Sequence, residues 1–377
     1  MGLELETKIK NVGWSLGSYC NARCKHCYSW RQRQSKLDLT KEEIDIIISK
    51  LKRLEVETLN LGGNEPIFTS GADIKKTLLP YIIEQTTSSG IKIGITTNGI
   101  TAVYLHRHFP DIFRLVNDWD VSFDSPFKIE HDANRGTNIY DLAVKSLDVC
   151  TEEKVPKAII TCLMNWNSDI YHLSAFLQLA KEHRAEFRIN TLRPTDPWHY
   201  SMLPTVEQFY KSFNYLLNET EQIVIGEPIL AALCDVESDG CPCGTHSMRI
   251  TSKSISGKVP ITPCVYLYSH KVGNILEDNL SELVNSYHFE EIRHRREEIP
   301  KLCHELDCEY LEKCRGGCAA RALLITGDIN NPDPYCPQLA ERSSYKIPEF
   351  PQVKAGHEGI RVHENYLCTW IGKPKEQ

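Results

Sequence analysis

The sequence predicts an α/β protein, a parallel sheet with helices outside it, followed by a cysteine-rich unit. Three observations carry this. From residue 11 to about 222, short apolar β-type runs alternate six times with longer amphipathic segments, the pattern of βα repeats. Of fifteen cysteines, nine crowd between Cys234 and Cys336. Three more, Cys20, Cys24 and Cys27, follow the first apolar run within one short loop. The expected divisions are therefore an extension at 1–10, the repeats at 11–222, the cysteine-rich unit at 223–340 and a second extension at 341–377.

Taken in order, the strand candidates are Val12–Leu16, Thr58–Leu61, Lys92–Thr96, Asp120–Phe123, Lys157–Leu163 and Glu186–Asn190. The helical patterns between and after them are Lys41–Leu54, Asp73–Thr86, Ala102–His108, Ile139–Glu152, Ile170–Glu182 and Thr205–Leu217. In the first helix Ile44, Ile47, Ile48, Leu51 and Leu54 recur at the spacing of one face. The tail from about Glu341, rich in Pro, Lys and Gly, reads as a surface-draped extension, with Cys368 an ordinary buried thiol.

Composition excludes several classes. The charge balance is mildly acidic, 43 Lys and Arg against 50 Asp and Glu, and no basic run exists to neutralise phosphates, so nucleic acid is not an expected partner. No apolar run reaches membrane-spanning length and the N-terminus lacks a signal-peptide core, so no membrane partner is expected either. Gly2 lacks the Ser or Thr of a myristoylation site. Fifteen cysteines without an export signal are not a disulfide framework, and the expected compartment is the cytoplasm.

Thiolates cap the irons of iron–sulfur clusters, and a 4Fe–4S cluster has four. A loop offering three thiolates at x3 and x2 spacing leaves one iron free for a small molecule. A zinc loop lacking its fourth ligand is the alternative from the loop alone. The C-x3-C-x2-C loop behind a first strand resembles the radical S-adenosylmethionine (SAM) superfamily. The resemblance implies an open, partial (β/α)6 TIM-like barrel with its chemistry at the C-terminal strand ends. It also implies that Cys20, Cys24 and Cys27 are the catalytic cluster ligands. In that family the free iron binds the amino and carboxylate groups of SAM, and one electron yields a 5′-deoxyadenosyl radical.

The later strand ends extend the resemblance. Gly62-Gly63-Asn64-Glu65-Pro66 is similar to the G-G-E-P motif that holds the SAM methionine moiety, with Asn64 inserted; Glu65 would meet the ammonium group. Thr96-Thr97-Asn98-Gly99 is similar to the turn beside the ribose. Val121-Ser122-Phe123-Asp124 and His131-Asp132-Ala133-Asn134-Arg135-Gly136 resemble family sequences, with Ser122 a ribose contact and Asp124 and Arg135 either functional or structural partners. Asn165 and Arg193 are placed at the barrel mouth. His26 is expected to pack rather than ligate.

The second cysteine zone resembles the SPASM extension, which usually binds two auxiliary 4Fe–4S clusters. Cys303, Cys308, Cys314 and Cys336 would hold the outer one, and Cys243, Cys264 and Cys318 the inner one. Its fourth ligand is Cys241 or Cys234, or the position is open. Two zinc sites are the alternative. Most relatives with this extension modify peptides. The resemblance therefore implies a maturase of a ribosomally made precursor peptide (a RiPP), using SAM and three clusters and performing oxidation, crosslinking or splicease-like excision. An external electron donor and a separate leader-recognition protein are the expected partners. Val265 replaces the Asp that follows the corresponding cysteine in sulfatase-maturing relatives, which disfavours formylglycine formation. A small-molecule or tetrapyrrole oxidase and a non-catalytic metal-stabilised binding module are the competing functions.

Overall fold

The computed structural model describes residues 9–34, 37–351, 360–362 and 369–375. All six expected strands form: β1 (Asn11–Leu16), β2 (Thr58–Gly63), β3 (Lys92–Thr97), β4 (Asp118–Ser122), β5 (Lys157–Leu163) and β6 (Glu186–Thr191). They pair in chain order and every pair is parallel. Helices Lys41–Arg53, Ile100–His108, Tyr140–Glu152, Ile170–Glu182 and Val206–Glu219 follow the expected patterns. Thr40 with Glu43, and Thr205 with Gln208, form reciprocal caps that satisfy orphan N–H groups and set two of the starts.

The second helix is shorter than its pattern. Pro80 is tolerated only in a first turn, so the helix runs Leu79–Ser88 and a 3-10 turn at Ile74–Lys76 takes up the preceding residues.

Strand alternation divides the side chains between two environments. Val12, Trp14 and Leu16 of β1, Leu59 and Leu61 of β2, and Ile93 and Ile95 of β3 pack with Ile44, Ile47, Ile48 and Leu51 of the first outer helix. Gly13, Ser15, Asn60, Gly62, Thr96, Asp120, Ile160, Arg188 and Asn190 instead line an inner cavity.

Five further strands extend the sheet: β7 (Thr220–Ile225), β8 (Ser247–Ile250), β9 (Ile261–Thr262), β10 (Ile360–Val362) and β11 (Trp370–Pro374). The order is β10-β7-β11-β6-β5-β4-β3-β2-β1-β8-β9. One sheet therefore crosses the expected divisions: position 222 falls inside β7, and β8, from the cysteine-rich stretch, pairs with β1.

The expectation of a surface-draped tail is corrected. β11 inserts antiparallel between β6 and β7, and Trp370 is fully buried against Phe187 and Phe213. Burying that indole and pairing both strand edges outweighs the low apolar content of the surrounding sequence. Cys368 lies outside the described residues. Among the described residues, no helix is long and apolar enough to cross a membrane.

Candidate active site

The three-cysteine loop leaves β1 at Gly17, whose φ of +62° and contact with the Phe68 carbonyl exclude a side chain. Its backbone is docked on the end of the helix Lys128–Arg135: Arg23 N–H donates to Arg135 O (2.8 Å) and Lys25 N–H to Asn134 O (3.0 Å). Beneath this dock, buried Arg135 donates twice to Asp124, at 2.7 and 2.8 Å. The guanidinium holds the Asp124 carboxyl well below the usual range despite its burial. Asn134 Nδ2 donates both to Asp124 (2.8 Å) and to His26 Nδ1 (3.0 Å). Asp124 and Arg135 are thus structural partners, and His26 packs in their network.

The Gly-Gly-Asn-Glu stretch departs from expectation. The Glu65 carboxylate, 3% exposed, accepts from Thr97 Oγ1 (2.5 Å), Thr101 Oγ1 and Asn98 N–H (2.9 Å). It ties the ends of β2 and β3 together and does not line the cavity. Asn64 is held between Gly17 O (3.0 Å) and Arg33 Nε (3.2 Å). Gly62 and Gly63 do line the cavity, and at Gly63 (φ +83°) a Cβ would meet Ser15 Oγ at 2.4 Å.

Asn98 is placed as expected beside the loop, donating to Asn21 Oδ1 (2.8 Å) with its Nδ2 3.9 Å from Cys20 Sγ. Ser122 ends β4, half-buried, opposite Ile160 of β5. Two placements are corrected. Asn165 donates to Ser201 O (2.8 Å) and lines a separate surface depression with Lys25, Trp166 and Trp198. The inward residue of that turn is Asn167, which donates to Asp124 O (2.8 Å) and Cys162 O (3.0 Å). Arg193 points to the cysteine-rich unit: it lies over the Tyr266 ring (5.0 Å), near Glu227 (3.4 Å) and Cys318 Sγ (3.7 Å).

A cavity lies against the inner face of the sheet, walled on one side by Tyr28 of the loop. Residues not singled out in the sequence, Tyr28, Arg249 and Tyr266, form much of its wall together with Val265. Arg249, 1% exposed, donates to Ser15 Oγ (2.9 and 2.5 Å), Val265 O (2.5 Å) and Tyr268 OH (3.0 Å). The Tyr28 ring, directly after Cys27, meets the Tyr266 ring edge-on at 5.4 Å. At the inner end Arg188 donates to Asp120 (2.8 Å) and Glu186 (2.7 Å), while burial raises the Asp120 carboxyl. Polar residues at every second position of otherwise apolar strands were the signal for this lining.

The later cysteines fall into the two expected groups. Cys241, Cys243, Cys264 and Cys318 share one buried cluster, with Cys243 within hydrogen-bonding reach of Cys241 and Cys264. Cys303, Cys308, Cys314 and Cys336 influence one another's ionisation and form the second. Cys234 packs in an apolar core instead, which leaves Cys241 as the available fourth thiol of the inner group. Between the groups, Gly317 (φ +71°) lets Asp333 approach, and Asp333 accepts from Cys318 N–H (2.8 Å) and Arg321 Nε (3.0 Å).

The radical SAM superfamily model matches residues 14–173, and the model of the SPASM iron–sulfur cluster-binding domain matches residues 241–309. The chain carries a radical SAM domain and a SPASM domain. This radical SAM enzyme is 26% identical to the mycofactocin maturase MftC of Mycobacterium tuberculosis H37Rv, over 97% of its own length and 92% of the relative's. It is 26% identical to the AdoMet-dependent heme synthase of Methanosarcina barkeri, over 86% and 95%. Streptococcus suis SuiB, solved with its precursor peptide SuiA, superposes with a TM-score of 0.67 at 15% identity, covering 88% of this chain and 76% of SuiB. At that identity the likeness is one of fold.

A radical SAM enzyme binds SAM and an iron–sulfur cluster, and the residues present fit both. Cys20, Cys24 and Cys27 are soft donors on one loop, and Tyr28, directly after Cys27, lines the inner cavity. Arg33 Nη2 stands 3.3 Å from Cys27 Sγ, a positive charge where a thiolate must form. Burial pushes the Cys20 thiol up to about 11 and Cys24 to about 12, so metal must displace their protons on loading.

Proposed function

We propose that this radical SAM enzyme is a maturase of a ribosomally made precursor peptide. It would remove hydrogen from one residue, leading to oxidation, crosslinking or splicease-like excision. The observation that carries the reading is the shared cavity wall: Tyr28, next to Cys27, touches Tyr266, two residues after Cys264. A substrate held there sits between two thiol sets, as a net oxidation requires. The near full-length similarity to a mycofactocin maturase supports it.

When bound, the cofactors supply one-electron cleavage of SAM and a hydrogen-abstracting radical. The chain's part is placement. Cys20, Cys24 and Cys27 hold the first cluster; the backbone of Gly62 and Gly63, with Asn98 and Ser122, receives SAM. Cys241, Cys243, Cys264 and Cys318 hold an inner auxiliary cluster, and Cys303, Cys308, Cys314 and Cys336 an outer one, three in all. Arg249 and Tyr28 close the wall against water, which keeps the reacting atoms in contact and limits side reactions. Val265 offers no base, so the oxidation proceeds without a carboxylate at that position. An external one-electron donor and a separate leader-binding protein complete the system, in a reducing cytoplasm that preserves free thiols.

Anaerobic protein with dithionite and SAM is expected to release 5′-deoxyadenosine. Mass spectrometry of a co-expressed candidate precursor peptide then reports loss of hydrogen, a crosslink or loss of a fragment. Turnover of a tetrapyrrole with the peptide untouched would favour the second reading, which the similarity to a heme synthase supports. Absence of 5′-deoxyadenosine under reducing conditions would favour a non-catalytic module.

A further inference from the structure

We propose that His270, His288 and Glu291 form a mononuclear zinc-type site in the cysteine-rich unit, separate from the thiol sets. His270 ends the 3-10 turn Tyr268–His270, and His288 and Glu291 lie three apart on one face of the helix Tyr287–Glu298. One ligand atom from each falls within 4.8 Å of the other two. Glu291 Oε2 stands 3.1 Å from His270 Nε2 and 3.8 Å from His288 Nδ1. Tetrahedral metal with bonds of about 2.0–2.1 Å places its ligand atoms roughly 3.3–3.4 Å apart, between those two distances.

Two features go beyond proximity. His288 Nδ1 is buried without a hydrogen-bond partner, a cost that a cation would remove. The two imidazoles lie 4.7 Å apart, centroid to centroid, where two imidazolium charges would repel and one carboxylate could not neutralise both. Neutral rings sharing a divalent cation with Glu291 meet every requirement. Ser269 Oγ, 2.8 Å from His270 Nδ1, orients the ring from its far side, as outer partners of ligating histidines do.

Two imidazoles and a carboxylate suit zinc, and the partly exposed His288 leaves a position for water. The site would pin the Tyr268–His270 turn to the helix. Tyr268 receives hydrogen bonds from Arg249 and Gln32 at the cavity wall, so the metal would brace that wall from behind.

The test uses full-length protein loaded anaerobically with iron and sulfide, equilibrated with zinc chloride and passed over a chelating resin. Elemental analysis is expected to find one retained zinc per chain. X-ray absorption should give nitrogen and oxygen neighbours only, without sulfur at about 2.3 Å. His288→Ala and Glu291→Gln should each lose that zinc while keeping the wild-type iron content, which reports folding. Zinc retained in both variants, sulfur in its shell, or no zinc held by the wild type would each overturn the site. If a variant loses iron as well, the stoichiometry and ligand shell of the wild type decide alone.

Discussion

The Cys20–Cys27 loop leaves a strand paired on both sides and rests on the helix Lys128–Arg135. Between Cys234 and Cys336 the longest regular element is one 12-residue helix, and the thiols sit on turns or in short helices. There, buried arginines do what a ladder of strands does elsewhere. Arg295 donates to the carbonyls of Gly316 (2.6 Å), Ile329 (2.5 Å) and Asn331 (3.1 Å). Arg321 joins Glu227 (2.6 and 2.8 Å) to Asp333 (3.0 Å). A guanidinium offers five donors in a fixed fork, enough to satisfy several backbone carbonyls that no strand reaches. The barrel therefore holds its shape by sheet and apolar core, and the cysteine-rich unit by metal and buried charge.

That contrast can be broken or sharpened experimentally. The largest effect is expected from Cys24→Ala: 5′-deoxyadenosine formation is abolished and iron falls by about four atoms per chain, with the later clusters retained, as iron analysis would report. Chelating all iron should leave residues 9–225 resistant to limited proteolysis while the stretch from Cys241 to Cys336 becomes cleavable; equal susceptibility would erase the distinction.

Next come the buried charges. Arg321→Leu leaves Asp333 without its guanidinium and Glu227 with the longer contact to Arg193 (3.4 Å), and should cost about 3–5 kcal/mol, read as a lowered melting temperature of the cysteine-rich unit. Asp124→Asn, with Arg135 left unpaired, should cost a similar amount but release iron from the first loop alone. Trp370→Ala should cost about 3–5 kcal/mol in thermal melts and free the tail strand to proteolysis, since its indole is buried between β6 and β7.

The smallest effect concerns pH. Burial raises Cys20 and Cys24 from the ordinary 9.0 to about 11 and about 12. The folded iron-free chain thus keeps protons that the unfolded chain loses above pH 9. Its stability should decline as pH rises from about 9 to about 12. In the iron-loaded chain those thiols carry no proton to lose, and chemical denaturation across the same window should not register that decline.

Much of this was legible in the sequence. Strand and helix periods located six βα repeats within two or three residues, apart from the start of the second helix, because each repeat buries one face locally. The inner and outer cysteine groups came from the resemblance to the SPASM extension, whose interleaved pattern puts Cys318 with Cys243 and Cys264 rather than with nearby Cys314. The site lining was harder to read. Glu65 looked free for a ligand and is instead taken up by Thr97, Thr101 and Asn98, whose positions depend on the register of β2 against β3. Asn165 and Asn167 are two residues apart, and only the fold of that turn decides which faces inward. Arg249 and Tyr266 carry no local pattern at all.

Local chemistry, then, determined what this chain can bind: three thiols in one loop, eight more in two sets, and a repeating scaffold to present them. Tertiary structure decided what surrounds the bound groups. It brought β8 beside β1 and so carried Arg249 into the cavity, set Tyr28 against Tyr266, and drew a polar tail into the sheet. Such contacts join residues well over one hundred positions apart, and their free energy lies in burial and pairing that no short window of sequence contains.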